Sequence, residues 1–213
     1  MYKGIIFDLD GTLLDTIDDL TDAVNHTLIK YGFPIRKREE ILSFVGHGAR
    51  ELINKAVPVD QKHLVDEVLT DYKNYYDSHA RIKTKPYQGI TDMLIQLKDR
   101  FKLGVVSNKQ DQAVKQLVSH YFEPIFIGVI GESKQIPKKP DPSSVLKVIE
   151  AMNLSPQEVI FVGDSEVDIE TANNVSCDMI AVTWGFRSKD ILKSLNPTYL
   201  INHPSEILDI IGE

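Results

Sequence analysis

The sequence alternates short apolar runs with longer segments of helical spacing, and this pattern restricts the chain to few folds. The first run, residues 4–7, contains two isoleucines and ends at Asp8, which is typical of a strand buried on both faces of a parallel sheet. Comparable runs follow at residues 102–106, 125–130, 159–162 and 179–183, with a weaker one at 199–201. Strands that alternate with helices form βαβ units. We therefore predict an α/β fold, a Rossmann-like open parallel sheet with helices on both faces.

The segments between these runs have the spacing of amphipathic helices. Apolar residues recur every three or four positions in residues 89–100, 110–120 and 142–152, and each of these segments is predicted to be helical. Pro142 lies near the start of the third segment, where its missing N–H group costs no hydrogen bond.

One long segment breaks the alternation. Residues 16–82 have helical spacing around Leu20 and Val24, and again at 39–45, 49–57 and 60–79, with no strand pattern. We predict a small all-helical domain, residues 16–82, inserted after the first strand of a core formed by residues 1–15 and 83–213. Pro86 favours extended backbone at the residue before it, where the chain returns to the core.

The charge balance and the apolar stretches exclude several classes of partner. Lys and Arg number 24 against 31 Asp and Glu, a net charge of −7 with no basic stripe, so no nucleic-acid partner is predicted. The longest uncharged apolar stretches have eight residues, against about 20 needed to span a bilayer, and Asp8 interrupts any signal-peptide pattern. We expect no membrane association and a cytoplasmic location, which the single cysteine, Cys177, also suits.

Polar residues cluster where the predicted strands end. The carboxyl ends of parallel strands lie at one edge of the sheet, where ligands bind. The residues at these ends and in one further loop are Asp8-Leu9-Asp10-Gly11-Thr12, Ser107-Asn108-Lys109, Lys138-Lys139-Pro140 and Gly163-Asp164-Ser165, with Asp168 four residues later. Each alone has an ordinary explanation, such as Ser107 or Ser165 capping a helix. Several carboxylates at one edge, however, repel one another unless a cation or a shared proton stabilises them.

The types of these residues point to a metal site. Clustered oxygen ligands without His or Cys suit Mg²⁺, and we predict that Asp8, Asp10 and Asp164 form its site. Asp168 follows Asp164 by four residues and so lies on the same helix face. It is expected either to orient the metal site or to bind the metal directly.

The same residues suit phosphoryl transfer. A carboxylate beside Mg²⁺ stays ionised and attacks phosphorus, and a second carboxyl group, Asp10, protonates the leaving oxygen and later deprotonates a water. We expect Thr12, Ser107 and Asn108 to bind the phosphate. Lys139 places a compact positive charge where negative charge accumulates during the reaction.

These motifs resemble the four ordered motifs of the haloacid-dehalogenase-like phosphatases, over essentially the whole chain. The matching segments are Asp8-x-Asp10-Gly11-Thr12-Leu13-x-Asp15, Ser107-Asn108, Lys139-Pro140 and Gly163-Asp164-Ser165-x-x-Asp168. The resemblance implies that Asp8 is the nucleophile and Asp10 the general acid/base. It also implies that Asp8, the main-chain carbonyl of Asp10 and Asp164 hold Mg²⁺, and that Ser107 and Lys139 contact phosphate. The helical insert resembles the small helical cap of that family.

Two segments of the insert resemble the bacterial phosphoglycolate-phosphatase branch. They are residues 15–20 and the loop Val45-Gly46-His47-Gly48-Ala49-Arg50. The glycines open a helix whose N–H groups suit an anion, and Arg50 adds a positive charge. We expect this loop, residues 46–48 with Arg50, to receive the non-phosphate end of a small substrate, 2-phosphoglycolate being the leading one. The alternative is that the glycines only turn the chain, with His47 and Arg50 in solvent.

Other functions remain open at this point. A pyrophosphatase, a nucleotidase or a sugar-phosphate mutase has the same fold, and a phospho-acceptor regulatory module has an Asp, a hydroxyl residue and a Lys at strand ends. The paired carboxylates and the helical insert disfavour the regulatory module, because a signalling acceptor gains nothing from a general acid. The partner is expected to be a small phosphorylated metabolite, with monomer and homodimer both open. Tyr72, Tyr75 and Tyr76 are expected to pack the insert.

Overall fold

The structure, a computed structural model, describes residues 1–212 and is built around a parallel sheet. The strands are β1 (Gly4–Phe7), β2 (Leu14–Asp15), β3 (Lys85–Pro86), β4 (Lys102–Gln110), β5 (Phe126–Glu132), β6 (Val159–Gly163), β7 (Asp178–Val182) and β8 (Tyr199–Ile201). Six of them form one sheet in the order β5-β4-β1-β6-β7-β8, and every pairing in it is parallel. The predicted α/β fold is confirmed.

Helices cover both faces of this sheet. They are α1 (Ile17–Lys30), α2 (Arg38–Phe44), α3 (Ala49–Ala56), α4 (Val65–His79), α5 (Ile90–Leu97), α6 (Asp111–Tyr121), α7 (Ser143–Met152), α8 (Glu166–Val175), α9 (Lys189–Ser194) and α10 (Glu206–Ile211). Alternate residues of a strand face opposite sides of a sheet, so Ile5 and Phe7 pack with α5, α6 and α10 while Ile6 packs with α7, α8 and α9. No helix within residues 1–212 has the length and hydropathy needed to cross a bilayer.

The strand β4 is longer than the sequence predicts. It continues beyond residue 106 through three polar residues to Gln110, which pairs with Glu132 of β5. Main-chain pairing with β5 extends the strand here, and apolar spacing does not report such pairing. Because Gln110 takes the N-cap position of α6, Ser107 does not cap that helix, and this explanation of Ser107 was wrong.

The regular secondary structure of the insert between β2 and β3 is all helical. It contains α1, α2, α3, a 3₁₀-helix at Val59–Leu64, and α4. The single helix predicted over residues 60–79 is therefore two elements, because the first turn is wound more tightly and α4 begins only at Val65. We refer to residues 16–82 as the insert; their division from the core as a separate domain stays a prediction.

A buried carboxylate fixes the second linker to the insert. Asp19 on α1 is 2% exposed, and it accepts hydrogen bonds from the main-chain N–H groups of Ile82, Lys83 and Thr84 at 2.8–3.1 Å. Just beyond these contacts, Leu14 and Asp15 of β2 pair with β3. The linker at residues 82–84 is thus hydrogen-bonded to α1 and belongs structurally to the insert. The chain then passes between the insert and the sheet through the paired strands β2 and β3.

Replacing Asp19 with Ala is expected to lower the free energy of unfolding by about 2–4 kcal/mol, because three amide donors lose a charged acceptor. Urea denaturation measures the change. Asp22 is the matched control: it lies on the same helix but is half-exposed, and its ion pair with Lys83 lies at the surface. For Asp22→Ala we expect a loss below about 1 kcal/mol. Equal losses for the two variants would contradict this role of Asp19.

Candidate active site

A buried ammonium joins two carboxylates at the carboxyl edge of the sheet. Asp8 follows β1, and Lys139, in the loop before α7, is 3% exposed. The Lys139 Nζ lies 2.8 Å from Oδ1 of Asp8 and 2.6 Å from Oδ1 of Asp168. Oδ2 of Asp168 accepts from the main-chain N–H and the hydroxyl of Ser165. Both oxygens of Asp168 are therefore engaged, whereas Oδ2 of Asp8 has no hydrogen-bond donor within residues 1–212.

Asp164 follows β6 and lies in a tight main-chain pocket. Its Oδ1 accepts from the hydroxyl of Thr12 at 3.2 Å, and its Oδ2 accepts from the main-chain N–H of Phe186 at 2.6 Å. Gly11, at φ +89°, and Gly185 both pass so close that a Cβ atom on either would overlap the Asp164 side chain. Only glycine at these two positions lets the loops after β1 and β7 approach this carboxylate.

Asp10 is paired with a lysine to which the sequence analysis gave no role. Lys109 Nζ lies 3.0 Å from each carboxylate oxygen of Asp10, and the two side chains are 7% and 12% exposed. The same ammonium lies 4.6 Å from the ring centroid of Tyr76 in the insert. Lys109 therefore holds Asp10 in place and contacts the insert as well. The sequence signal for it was its position in the polar triplet after an apolar run, but its partner is 99 residues away in sequence.

Of the four residues expected to bind phosphate, Lys139 binds two carboxylates, and Ser107 is the one whose hydroxyl donates to no acceptor within residues 1–212. Ser107 lines the cavity, and its Oγ accepts from the N–H of Lys109, so the hydroxyl proton is available. Thr12 is fully buried and donates to Asp164. The side-chain amide of Asn108 donates to the carbonyls of Gly46 and Lys139 at 3.0 and 2.9 Å. The Thr12 hydroxyl and the Asn108 amide thus bind other groups of the protein in this structure, and their expected contacts with phosphate stay a prediction.

The insert closes the site through main-chain carbonyls. Arg187 forms a two-point ion pair with Glu166 and also donates to the carbonyls of Leu42 and Val45. Lys138 donates to the carbonyl of His47 at 2.7 Å. Together with Asn108, these core side chains hold the end of α2 and the loop that follows it. The result is a cavity of about 70 Å³ between insert and core.

The structure brings only part of the expected specificity loop to this cavity. Gly46 and Gly48 line it, and Gly48 precedes α3 at φ +84°. His47 and Arg50 do not line it. Arg50 pairs with Asp66 and is 61% exposed, so the structure places its guanidinium at the surface of the insert and outside the cavity.

The site is a cluster of carboxylates at the carboxyl ends of the parallel strands. The sequence also matches a known family over most of its length. The sequence profile of the haloacid dehalogenase-like hydrolases matches residues 5–182. The chain belongs to this family.

Relatives of this hydrolase cover almost all of its chain. It is 31% identical to a phosphoglycolate phosphatase of Psychrobacter arcticus, over 97% of this chain and 94% of that protein. It is 28% identical to the pyrophosphatase PpaX of Bacillus mycoides, over 98% of this chain and 96% of that protein. A Lactobacillus delbrueckii subsp. bulgaricus structure, provisionally named a phosphoglycolate phosphatase, has a TM-score of 0.93 at 33% identity, over 99% and 98% of the two chains. The predicted family and its phosphoglycolate-phosphatase-like branch are confirmed.

The acidic residues of the hydrolase fit a divalent cation. Asp8, Asp164 and Asp168 each offer a carboxylate oxygen, and these three atoms lie within 4.8 Å of one another. Oxygen donors without nitrogen or sulfur suit Mg²⁺. Asp168 is bound by the Lys139 ammonium at 2.6 Å, whereas Asp164 accepts only from neutral donors, a hydroxyl and a main-chain N–H. We therefore expect Asp8 and Asp164 to hold the metal and Asp168 to orient Lys139. The Asp10 carboxylate forms an ion pair with Lys109 through both of its oxygens. The main-chain carbonyl of Asp10 is then the group left to bind a metal, as the family resemblance implied.

The ionisation of the cluster also favours a cation. Burial raises the pKa of Asp8 to about 7, with Lys139 opposing the shift and Asp168 adding to it. Burial and the neighbouring carboxylates Asp168 and Asp8 raise the pKa of Asp164. Burial lowers the pKa of Lys139, but the attraction of Asp168 and Asp8 outweighs it and raises the pKa above its usual value. One buried ammonium therefore does not compensate three carboxylates, and a divalent ion would.

Mg²⁺ is expected to raise the melting temperature, and more strongly at pH 7.5 than at pH 5.5. A carboxyl group whose pKa is higher in the folded than in the unfolded chain stabilises the fold when protonated, so this contribution falls as pH rises from about 4 through about 7. Metal binding requires deprotonated carboxylates. At the higher pH, a metal that binds only the folded protein therefore restores the stability that deprotonation removes. Calorimetry with Mg²⁺ or EDTA at both pH values measures the effect. A metal-induced shift that is equal at the two pH values would contradict it.

Proposed function

We propose that the protein is a Mg²⁺-dependent phosphatase that hydrolyses a small phosphate monoester through a phosphoryl group on Asp8. The observation that carries this proposal is the arrangement of Asp8. One of its oxygens is bound by Lys139 and the other has no protein donor, while a second carboxyl group, Asp10, lines the same cavity. Covalent phosphoryl transfer needs a nucleophile and a group that exchanges protons at one site, and Asp8 and Asp10 line one cavity.

The residues divide the reaction between two steps. In the first, Oδ2 of Asp8 bonds to phosphorus while the bond from phosphorus to the substrate oxygen breaks. Asp10, which must have taken up a proton and so weakened its ion pair with Lys109, gives that proton to the substrate oxygen. In the second, Asp10 takes a proton from a water whose oxygen attacks the same phosphorus, which frees phosphate and regenerates Asp8. Ser107 and Lys139 donate to the phosphoryl oxygens as negative charge develops. A bound Mg²⁺ would neutralise charge on the phosphoryl group and on Asp8.

We expect the insert to close over the site during the reaction and to open for substrate exchange. The contacts of Arg187, Asn108 and Lys138 with main-chain carbonyls of the insert hold it against the core. Residues 82–84 stay with α1, so the proposed hinge is the β2–β3 ribbon, and opening breaks the carbonyl contacts while the ribbon persists. Motion of this kind commonly controls substrate exchange in closed active sites.

2-Phosphoglycolate is the substrate we propose first. The phosphoglycolate phosphatase of P. arcticus, at 31% identity over nearly the whole chain, supports it. Pyrophosphate is the second candidate, supported by the B. mycoides pyrophosphatase at 28% identity.

Phosphate release tests the proposed class. Purified protein is assayed with p-nitrophenyl phosphate, 2-phosphoglycolate and pyrophosphate, with Mg²⁺ and after EDTA. We expect many turnovers with Mg²⁺ and almost none with EDTA, and the highest kcat/KM among the three identifies the preferred class. A single stoichiometric phosphorylation without turnover would instead favour the phospho-acceptor module and overturn the proposal.

A further inference from the structure

One of the cations that line the cavity has no protein partner. The cationic side chains in its lining are Lys73, Lys109, Lys139 and Arg187. Lys109 is paired with Asp10, Lys139 with Asp8 and Asp168, and Arg187 with Glu166. For Lys73, the part of the chain that the structure describes provides no carboxylate within salt-bridge distance and no hydrogen-bond acceptor. Three of the four charges are thus compensated inside the protein, and the fourth is not.

Lys73 lies on the insert side of the cavity. It belongs to α4 and is half-buried, with Tyr72, Tyr76 and the exposed Asp77 of the same helix also in the lining. Tyr76 is 4% exposed, and its hydroxyl has no hydrogen-bond partner within residues 1–212. A buried hydroxyl without a partner is stabilised when a ligand or a water binds to it. The Tyr76 hydroxyl is closed off from solvent, so it is not itself evidence of a ligand in the cavity. The uncompensated ammonium of Lys73 is the feature that indicates an anionic ligand at this wall.

We propose that Lys73 binds a second anionic group of the substrate, a carboxylate or a second phosphoryl group, at the end remote from the phosphate that is hydrolysed. This proposal rests on the proposed function and names its substrate class. The reacting phosphoryl group lies at Asp8, Ser107 and Lys139 in the core, whereas Lys73 projects from the insert. An anion that joins the two sides gives Lys73 its counter-charge only when the insert is closed, so the same contact selects the substrate and favours closure.

Lys73 takes the role that the sequence analysis gave to Arg50. Both are cations of the insert, but Arg50 is neutralised by Asp66 at the surface, whereas Lys73 faces the cavity without a carboxylate partner. The position of Lys73 among tyrosines and acidic residues, Asp71-Tyr72-Lys73-Asn74-Tyr75-Tyr76-Asp77, is typical of an exposed helix and indicates no binding role by itself. The difference between Lys73 and Arg50 becomes visible only in the structure, where one lines the cavity and the other pairs with Asp66 at the surface.

The test compares substrates that differ only in charge at the remote end. Lys73→Met is assayed with 2-phosphoglycolate and with 2-hydroxyethyl phosphate, in which an uncharged CH₂OH group replaces the carboxylate; pyrophosphate is the third substrate. For the acidic substrate that the wild type prefers, we expect kcat/KM to fall about 10- to 100-fold, mainly through KM, because a charge-assisted hydrogen bond is lost. The rate with 2-hydroxyethyl phosphate is expected to change less than about 3-fold. Whichever acidic substrate shows the loss identifies the anion as carboxylate or phosphoryl.

Two further variants separate binding from a structural effect. Arg50→Ala removes a cation of the insert outside the cavity and is expected to leave the ratio of the substrates unchanged, and Lys73→Arg is expected to retain most of the preference for the acidic substrate. Equal losses with charged and uncharged substrates in Lys73→Met, or no loss with either acidic substrate, would overturn the proposal for Lys73 alone. If the wild type hydrolyses none of the substrates with Mg²⁺, the proposed function itself fails.

Discussion

Replacing Asp8 with Asn is expected to lower kcat by at least about 10⁴-fold with every phosphate ester, the scale seen when a catalytic nucleophile is removed. The amide has no ionised oxygen to bond to phosphorus, and it does not carry the charge that a metal would need. The fold is expected to remain, with the free energy of unfolding within about 1 kcal/mol of the wild type. The variant loses an ion pair with Lys139 but also one of three mutually repelling carboxylates. Steady-state assays and urea denaturation measure the two quantities.

Trapping the phosphorylated enzyme tests the role of Asp8 independently of the rate measurements. Acid quenching of the wild type during turnover, followed by peptide mass spectrometry, is expected to find a phosphoryl group on the peptide that contains Asp8 and none on that peptide in the variant. Asp99→Asn, an equivalent change at an exposed position of the core, is expected to retain wild-type turnover and labelling. If Asp8→Asn turned over substrate at a rate near that of the wild type, Asp8 would not be the nucleophile.

Replacing Lys139 with Met is expected to reduce both activity and stability. The variant leaves Asp8 and Asp168 buried without their shared ammonium, and removal of one partner from a buried ion pair costs about 3–5 kcal/mol. We also expect kcat to fall at least about 10²-fold, because a charge aimed at the developing phosphoryl oxygens is lost. Mg²⁺-free urea denaturation and phosphate-release kinetics check these values. Lys147→Met, at an exposed position on α7, is the matched control and is expected to change neither.

A second substitution separates the two effects of Lys139. In Lys139→Met/Asp168→Asn, one of the uncompensated carboxylates is removed, so we expect the double variant to regain part of the lost stability while its kcat stays low. Non-additivity of this kind is expected for side chains that contact one another. A double variant that recovers activity together with stability would show that Lys139 acts only through folding.

The arrangement of the sheet was predictable because its signals are local. β1 and β8 have the predicted bounds, since each is a short apolar run between polar residues. These local signals also predicted that Asp8, Ser107 and Asp164 lie at one edge of the sheet, because the carboxyl ends of parallel strands lie side by side. The extension of β4 to Gln110 was not predictable, since Ser107, Asn108 and Lys109 are polar. They lie in an irregular stretch of the register, and pairing with β5 resumes only at Gln110.

The partners of individual side chains in the site were less predictable than its location. Thr12 and Asn108 were expected to donate to phosphate because their residue types suit it, but the first donates to Asp164 and the second to two carbonyls. Those acceptors are far from the donors in sequence, and residue type alone does not choose between them. The same holds for Lys109 and for Lys73, whose roles depend on which carboxylates the fold brings near.

Anomalous diffraction from crystals grown with Mn²⁺ in place of Mg²⁺ tests the central claim most directly, because it locates the metal without an assay. We expect one peak beside Asp8 and Asp164, with a carboxylate oxygen of each about 2.0–2.3 Å away, and Asp168 still bound to Lys139. At a saturating Mn²⁺ concentration, the absence of a peak between these two carboxylates, or a peak bound only elsewhere, would contradict the account.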